Sequence, residues 1–242
     1  MSDGAFPLTR PSAVSDLLSG DPARRARSLD LVVRGYWKPV YKYIRLRWTQ
    51  TGEHAEDLTQ SFFETAINRD MLAQYQPARG RFRTFLRTCL DRHVIDQHRR
   101  AATARRGGKN VHLDFATAEA ELGASGANID PDAVFDAEWL RHLMQLALER
   151  LDAALEERKK PVHAKLFRDF HVGDSPPAYA AAAERYGITT TDVTNWLHVA
   201  RREFRRVAMD LLRELTIDDE DFAAEARAVF GIDVDDRSEP AR

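Results

Sequence analysis

Residues 80–106, GRFRTFLRTCLDRHVIDQHRRAATARR, constrain the fold more than any other stretch. Phe82, Phe85, Leu86, Cys89, Leu90 and Val94 recur at three-to-four spacing, the pattern of a helix with one buried stripe. The other face is crowded with Arg83, Arg87, Arg92, Gln97, His98, Arg99, Arg100, Arg105 and Arg106. No Gly or Pro interrupts residues 81–106, so the basic side chains are expected along one long helix. A row of guanidinium groups that begins among aromatic rings suits a nucleic acid. The cations take phosphates and the rings accept an unstacked base. A solvated Arg-rich face over an ordinary aromatic core anchor would read the same way on this stretch alone.

Charge is segregated along the chain, although the formal net charge is only −2. Residues 24–109 hold 19 basic and 8 acidic side chains, whereas residues 110–157 hold 2 and 11. Residues 158–213 return to 11 basic and 6 acidic, and residues 214–242 hold 3 and 10. Two basic blocks separated by an acidic link steer a polyanion to two places. The single Cys89 sits on the apolar stripe and is expected as a small buried hydrophobe in a reducing compartment. The apolar runs are too short to span a bilayer and MSDGAFPLTRPS lacks a signal pattern, so membrane insertion is not expected and a cytoplasmic location is.

In chain order, residues 1–20 carry weak signals. Asp21-Pro22 opens a helix as N-cap and first helical residue, and Pro39 is expected to break or kink it. Val40, Tyr41, Ile44 and Trp48 share one face beyond it, with Lys38, Lys42, Arg45 and Arg47 pointing elsewhere. HAEDLTQSFFETAINRD is a second helix whose stripe is Ala55, Leu58, Phe62 and Ala66, leaving Asp57, Gln60, Ser61 and Glu64 outside. Gly107-Gly108 ends the basic helix, and residues 109–132 read as a mobile acidic linker. A helix then starts at Pro131 or Asp132 with Phe135, Trp139, Leu143, Ala147 and Leu151 as its apolar face.

Residues 175–215 read as a helix-turn-helix. SPPAYAAAAERYG is stopped by Gly187, and a longer helix follows from a Thr N-cap. Val193, Leu197, Ala200, Phe204 and Val207 recur at core spacing, which turns Thr191, Thr194, Asn195, His198, Arg201, Arg202 and Arg205 outward. Asn and Thr can read base edges and Arg can hold phosphate. Beyond residue 215 an amphipathic helix through Phe222, Ala226, Val229 and Phe230 follows the acidic run Asp218 to Asp221, and it reads equally as a face that packs on the second domain or on a partner and as a passive tail.

These parts, in this order, resemble the extracytoplasmic-function group of sigma-70 family RNA polymerase sigma factors. HAEDLTQSFFETA is similar to the family's D-A-E-D-L-x-Q-E-x-F helix, region 2.2, which docks on the clamp helices of the polymerase beta-prime subunit. FRTFLRTCLDRHVIDQHRR is similar to F-R-x-W-L-x-x-I-A-x-N-x-x-I-D-x-x-R-R, regions 2.3 and 2.4, which melt and read the minus-10 element. GITTTDVTNWLHVARREFRR is similar to G-I-P-x-G-T-V-K-S-R-L-H-R-A-R, region 4.2, which reads the minus-35 element. Departures are Ser61 for a Glu, Phe85 for the frequent Trp, Arg92 for the frequent Asn, and Thr194-Asn195-Trp196 for Lys-Ser-Arg.

The resemblance implies an all-α chain with two small helical domains, region 2 over 21–108 and region 4 over 133–215. A flexible acidic linker over 109–132 would join them, and the acidic extension over 216–242 is an addition to that two-domain pattern. It implies core polymerase contacts at Asp57, Gln60, Ser61 and Glu64, and a minus-10 surface of Arg83, Phe85, Arg87, Arg92, Asp96, Arg99 and Arg100, with the loop 74–79 near a flipped base. Thr191, Thr194, Asn195, His198, Arg201, Arg202 and Arg205 would face the minus-35 element. The implied partners are core RNA polymerase, through its beta-prime clamp and beta flap, and promoter DNA, with room for an anti-sigma protein. Neither a cofactor nor a metal is implied.

Two other functions compete. A catalytic reading could invoke His93, Asp96 and His98, but His98 falls on a different side of the helix and no H-E-x-x-H or paired Cys set accompanies them. A helix-turn-helix regulator acting without polymerase would need neither the docking helix nor the aromatic-basic face.

Overall fold

The computed structural model describes residues 21–68, 71–76, 79–101, 130–173, 175–216 and 218–233. Among them are eight α-helices, one 3-10 turn and no strand, so the fold is all-α as expected. The N-terminal segment 1–20, most of the expected linker, Arg105, Arg106 and the end of the tail lie outside the described residues.

Helix α1 spans Pro22–Arg47. Asp21 caps it by accepting from the backbone N–H of Ala23 at 2.9 Å and of Arg24 at 3.5 Å. The expected break at Pro39 does not occur, and the helix runs through it. An interior proline costs a helix about 3 kcal/mol, and here burial on both sides of the proline opposes that cost. Val32, Tyr36, Val40, Tyr41, Tyr43 and Ile44 are all buried. The carbonyl that Pro39 leaves without its donor belongs to Gly35, which has no side chain to crowd the proline ring.

Helix α2 spans Gly52–Asn68 and buries the expected stripe of Ala55, Leu58, Phe62 and Ala66. The 3-10 turn Met71–Gln74 follows. Gly80, at φ +119°, then turns the chain into α3, Phe82–Ala101. The Tyr75 hydroxyl donates to the Gly80 carbonyl at 2.8 Å and pins this approach.

Helices α4 (Pro131–Glu157), α5 (Pro161–His171), α6 (Tyr179–Tyr186), α7 (Thr190–Glu214) and α8 (Asp219–Phe230) complete the chain. They divide between two compact units, one of residues 1–142 and 212–242 and the other of residues 143–211. This differs from the boundaries expected at 132 and 215, because the first part of α4 and all of α8 join the first unit.

The reason is packing. Phe135 and Trp139 are fully buried, Phe135 edge-on to Tyr43 at 5.8 Å and Trp139 stacked on Tyr36 at 6.3 Å. Burying a Phe-sized side chain is worth about 1.5–3 kcal/mol. Lys42, expected to point away from the core, is 1% exposed, and its ammonium donates to Glu138 of α4 at 2.6 Å. Lys38 is buried as well. The acidic C-terminal helix, read as packing on the second domain or a partner or as a passive tail, packs in the first unit. Leu215, which leads into it, lies against Gly35, where an added Cβ would come within 2.6 Å of a Leu215 methyl. Phe222 lies under the Arg213 guanidinium, 3.9 Å from the ring centre.

The second unit has two adjoining cores. One gathers Leu151, Leu155, Ala164, Phe167, Ala200 and Val207, and the other Leu166, Ala182, Ala183, Val193 and Leu197. Helix α6 begins at Tyr179 rather than at Ser175-Pro-Pro, with Ala178 still extended before it. It ends at Gly187, whose φ of +64° is the left-handed cap that glycine adopts freely. Helix α7 opens with a reciprocal cap. The Thr189 hydroxyl accepts from the Asp192 N–H at 3.1 Å, and the Asp192 carboxylate accepts from the Thr189 N–H at 3.1 Å. The Thr189 hydroxyl also donates to the Asp192 carboxylate at 2.7 Å, and that bond, with the one from the Thr189 N–H, holds the Asp192 carboxyl below its ordinary range.

Candidate nucleic-acid interface

Helix α3 is built as its sequence suggests. Phe82, Leu86, Cys89, Leu90 and Val94 are buried and Phe85 is half-buried. Tyr43 Oη at 3.1 Å and Trp48 Nε1 at 3.3 Å both donate to Asp91, fixing the rotation of α3 against α1. Burial pushes the Cys89 thiol up to about 11, with Arg92 opposing the shift, so the thiol stays protonated.

The basic row is divided by its surroundings. At the front, Arg83 is 8% exposed and pairs with Glu225 of α8 at 3.0 Å and with Asp136 of α4 at 3.7 Å. Its guanidinium lies 4.8 Å from the Trp139 ring centre. Arg87 is half-buried and pairs with Asp132 at 3.4 Å. Arg81 lies 3.9 Å from Glu225. Phe85 packs against Tyr75 at 5.3 Å. These front residues were expected on an open surface, and instead carboxylates from α4 and α8 meet the cations.

At the rear, Arg92, Asp96, Arg99 and Arg100 are exposed. Arg99 lies 3.8 Å from Asp96, a solvated pair of the kind worth at most about 1 kcal/mol. Arg92, Asp96 and Arg100 border a cavity of about 290 Å³, with Thr65, Met71, Gln74, Cys89, His93 and Gln97 as its other walls. His93 Nε2 lies 2.9 Å from the Ser61 hydroxyl and its ring is edge-on to Phe62 at 5.7 Å. Arg92 and Arg100 thus lie beside Met71, Cys89 and His93 around one cavity.

On α2, Asp57 is exposed and Gln60, Ser61 and Glu64 are half-buried on the side away from the stripe. The Ser61 hydroxyl also lies 3.2 Å from the Leu58 carbonyl, so it faces α3 and its own helix more than solvent.

In the second unit, Thr191, Thr194, Asn195, His198, Arg201, Arg202 and Arg205 are all exposed. Their three-to-four spacing sets them along one face of α7. Thr194 donates to the Thr190 carbonyl at 3.2 Å, and Arg201 Nε donates to His171 Nε2 at 3.0 Å. Burial lowers the His171 pKa, and the Arg201 charge adds to the effect, so His171 is held neutral as an acceptor. Trp196 is turned inward and stacks on His163, with ring centres 4.5 Å apart. Residues whose part was not anticipated are Glu138, Lys42, Asp132, Asp136 and Glu225. Of the available signals, Gly35 in mid-helix was the one that could have marked a close packing contact.

No helix among the described residues is long and apolar enough to cross a membrane. No curated protein and no solved structure matches the chain. Residues 32–104, which run from within α1 past the described end of α3, match the family model described as Sigma-70 region 2. That segment is thus similar to sigma-70 region 2, and the match covers less than half of the chain.

Proposed function

We propose that the chain is a sigma factor of the extracytoplasmic-function type. It binds core RNA polymerase, engages a promoter through both basic surfaces and helps open the duplex between them. The observation that carries this reading is the coincidence of the region 2 match with the exposed rear of α3 and its cavity. Arg92, Arg99 and Arg100 supply phosphate contacts. The cavity, near the lower end of ligand pockets at about 300 Å³, accepts one unstacked base. Capturing bases as they leave the stack offsets the energy of strand separation.

The exposed α7 face, Thr191 through Arg205, then reads the minus-35 element, with Asn195 at base edges and Arg201, Arg202 and Arg205 on phosphates. Asp57, Gln60 and Glu64 of α2 contact the beta-prime clamp, whereas Ser61, turned toward α3, does not, and the second unit meets the beta flap. The polymerase carries out RNA synthesis, and the chain supplies recognition.

Run-off transcription with purified core polymerase on a genomic library, followed by sequencing of start sites, tests this reading. Start sites should share two spaced elements. Arg99→Ala with Arg100→Ala should cut opening at those promoters and leave core binding intact. A chain that does not associate with core polymerase, yet still binds duplex DNA, would be a regulator working without polymerase, and the proposal would be wrong.

A further inference from the structure

The front of the α3 row is neutralised from within the chain, by carboxylates outside the 32–104 segment. Those of α4 are fixed, because Phe135 and Trp139 anchor that helix in the core. Helix α8 is held differently. It has 12 residues, and its buried apolar side chains are Phe222 and Ala226. A short helix with so little apolar burial belongs to the part of a fold that opens at least cost.

Its chemistry at the contact is a phosphate-like one. Glu225 is 3% exposed in its side chain and lies 3.0 Å from Arg83 and 3.9 Å from Arg81. Its second oxygen, Oε2, is buried without a hydrogen-bond partner among the described residues. A buried ion pair with an unsatisfied lone pair recovers little of its desolvation cost and yields readily to a better partner. Burial raises the Glu225 pKa, Arg83 and Arg81 oppose the rise, and Asp221 and Asp136 add to it. The α8 carboxylates also stand close to the aromatic side of the row. Burial raises the Tyr75 phenol, and Asp221, Asp218, Glu225 and Glu220 each push it further up. Tyr75 in turn packs on Phe82 and Phe85.

We propose that α8 is an intramolecular acidic clamp on the front of α3, which holds Arg81 and Arg83 and the neighbouring rings until a single promoter strand takes them. This rests on the reading of α3 as the minus-10 surface. On α3 the free chain then offers its rear cations, Arg92, Arg99 and Arg100, and full engagement of that helix follows release of α8.

The test uses the full-length chain in holoenzyme with a promoter fragment recovered by run-off mapping, prepared as duplex and as a pre-opened bubble. Glu225→Gln should bind the bubble about five-fold tighter or more, the lower edge of ordinary coupling between sites. Its dependence of log K on log salt should steepen by about 0.7 for each single-strand phosphate gained. Arg83→Gln should abolish that gain, so that the double variant matches Arg83→Gln alone. In the unmutated protein, amide hydrogen exchange over residues 219–230 should quicken when the bubble binds. Unchanged or weaker binding by a folded Glu225→Gln, or α8 amides that stay protected on the bubble, would overturn the clamp. Normal promoter binding with either of those results sinks the clamp alone, whereas holoenzyme that binds no promoter sinks the minus-10 reading with it.

Discussion

Replacing Glu138 by Leu should unfold the first unit well before the second. The Lys42 ammonium and the Glu138 carboxylate are 2.6 Å apart with 1% and 9% of their side chains exposed, so water screens neither. Removing one partner of such a pair leaves a buried charge behind and costs about 3–5 kcal/mol. At roughly 2–4 °C per kcal/mol for a body of 150–250 residues, the melting temperature of the first unit should fall by about 10 °C. Lys42→Met in the same chain removes the buried ammonium as well, and the double variant should return to within about 1 kcal/mol of the parent or exceed it, since apolar replacements of buried pairs are often neutral or stabilising. Urea unfolding followed by circular dichroism gives both numbers, and the double-mutant cycle isolates the pair. If Glu138→Leu stays within about 1 kcal/mol of the parent, or Lys42→Met fails to rescue it, the argument that residues 131–142 are bolted to α1 is wrong.

Two further outcomes follow from the same geometry. Cys89 is 4% exposed with its thiol raised to about 11, so alkylation by iodoacetamide at pH 8 should run roughly two orders of magnitude slower than in urea-unfolded chain, and a rate near that of a free thiol would contradict the burial. In the second unit, burial would raise the Glu203 carboxyl, but the Arg206 hydrogen bond and charge, with Arg158 and Arg202, bring it below the ordinary value. The stability this carboxylate adds is therefore complete above its unfolded pKa and is lost as pH falls through the lowered folded value. Glu203→Gln should flatten the acid limb of the stability curve, and an unchanged limb would refute the assignment.

Local periodicity made the elements legible. The stripes of α2 and α3, the Gly187 turn and the outward face of α7 need only three-to-four spacing and turn chemistry, and the structure has each of them. Which core a stripe joins was not legible, because that depends on what arrives from elsewhere in the chain. The apolar face of α4 reads as one continuous run, yet residues up to His142 belong to the first unit and those from Leu143 to the second. Lys42 looks like a solvated lysine until Glu138 is set beside it. Pro39 reads as a break because the sequence does not display the tertiary burial that carries α1 across it.

Charge shows the same limit most sharply. Counting basic and acidic residues along the chain isolates a strongly cationic first block, and every arginine of α3 contributes equally to that count. In space they are unequal. Arg83 meets Glu225 and Asp136, and Arg87 meets Asp132, all of them carboxylates that the count assigns to acidic segments downstream. The acidic segments thus do more than separate or follow the basic ones, since they supply counter-charges that decide which cations face solvent. A polyanion approaching α3 meets cations exposed at Arg92, Arg99 and Arg100 rather than a uniform row. Selective exposure of part of a basic helix is therefore a property of the whole fold, and substitutions in α8 should alter nucleic-acid binding at α3 although α8 carries the opposite charge.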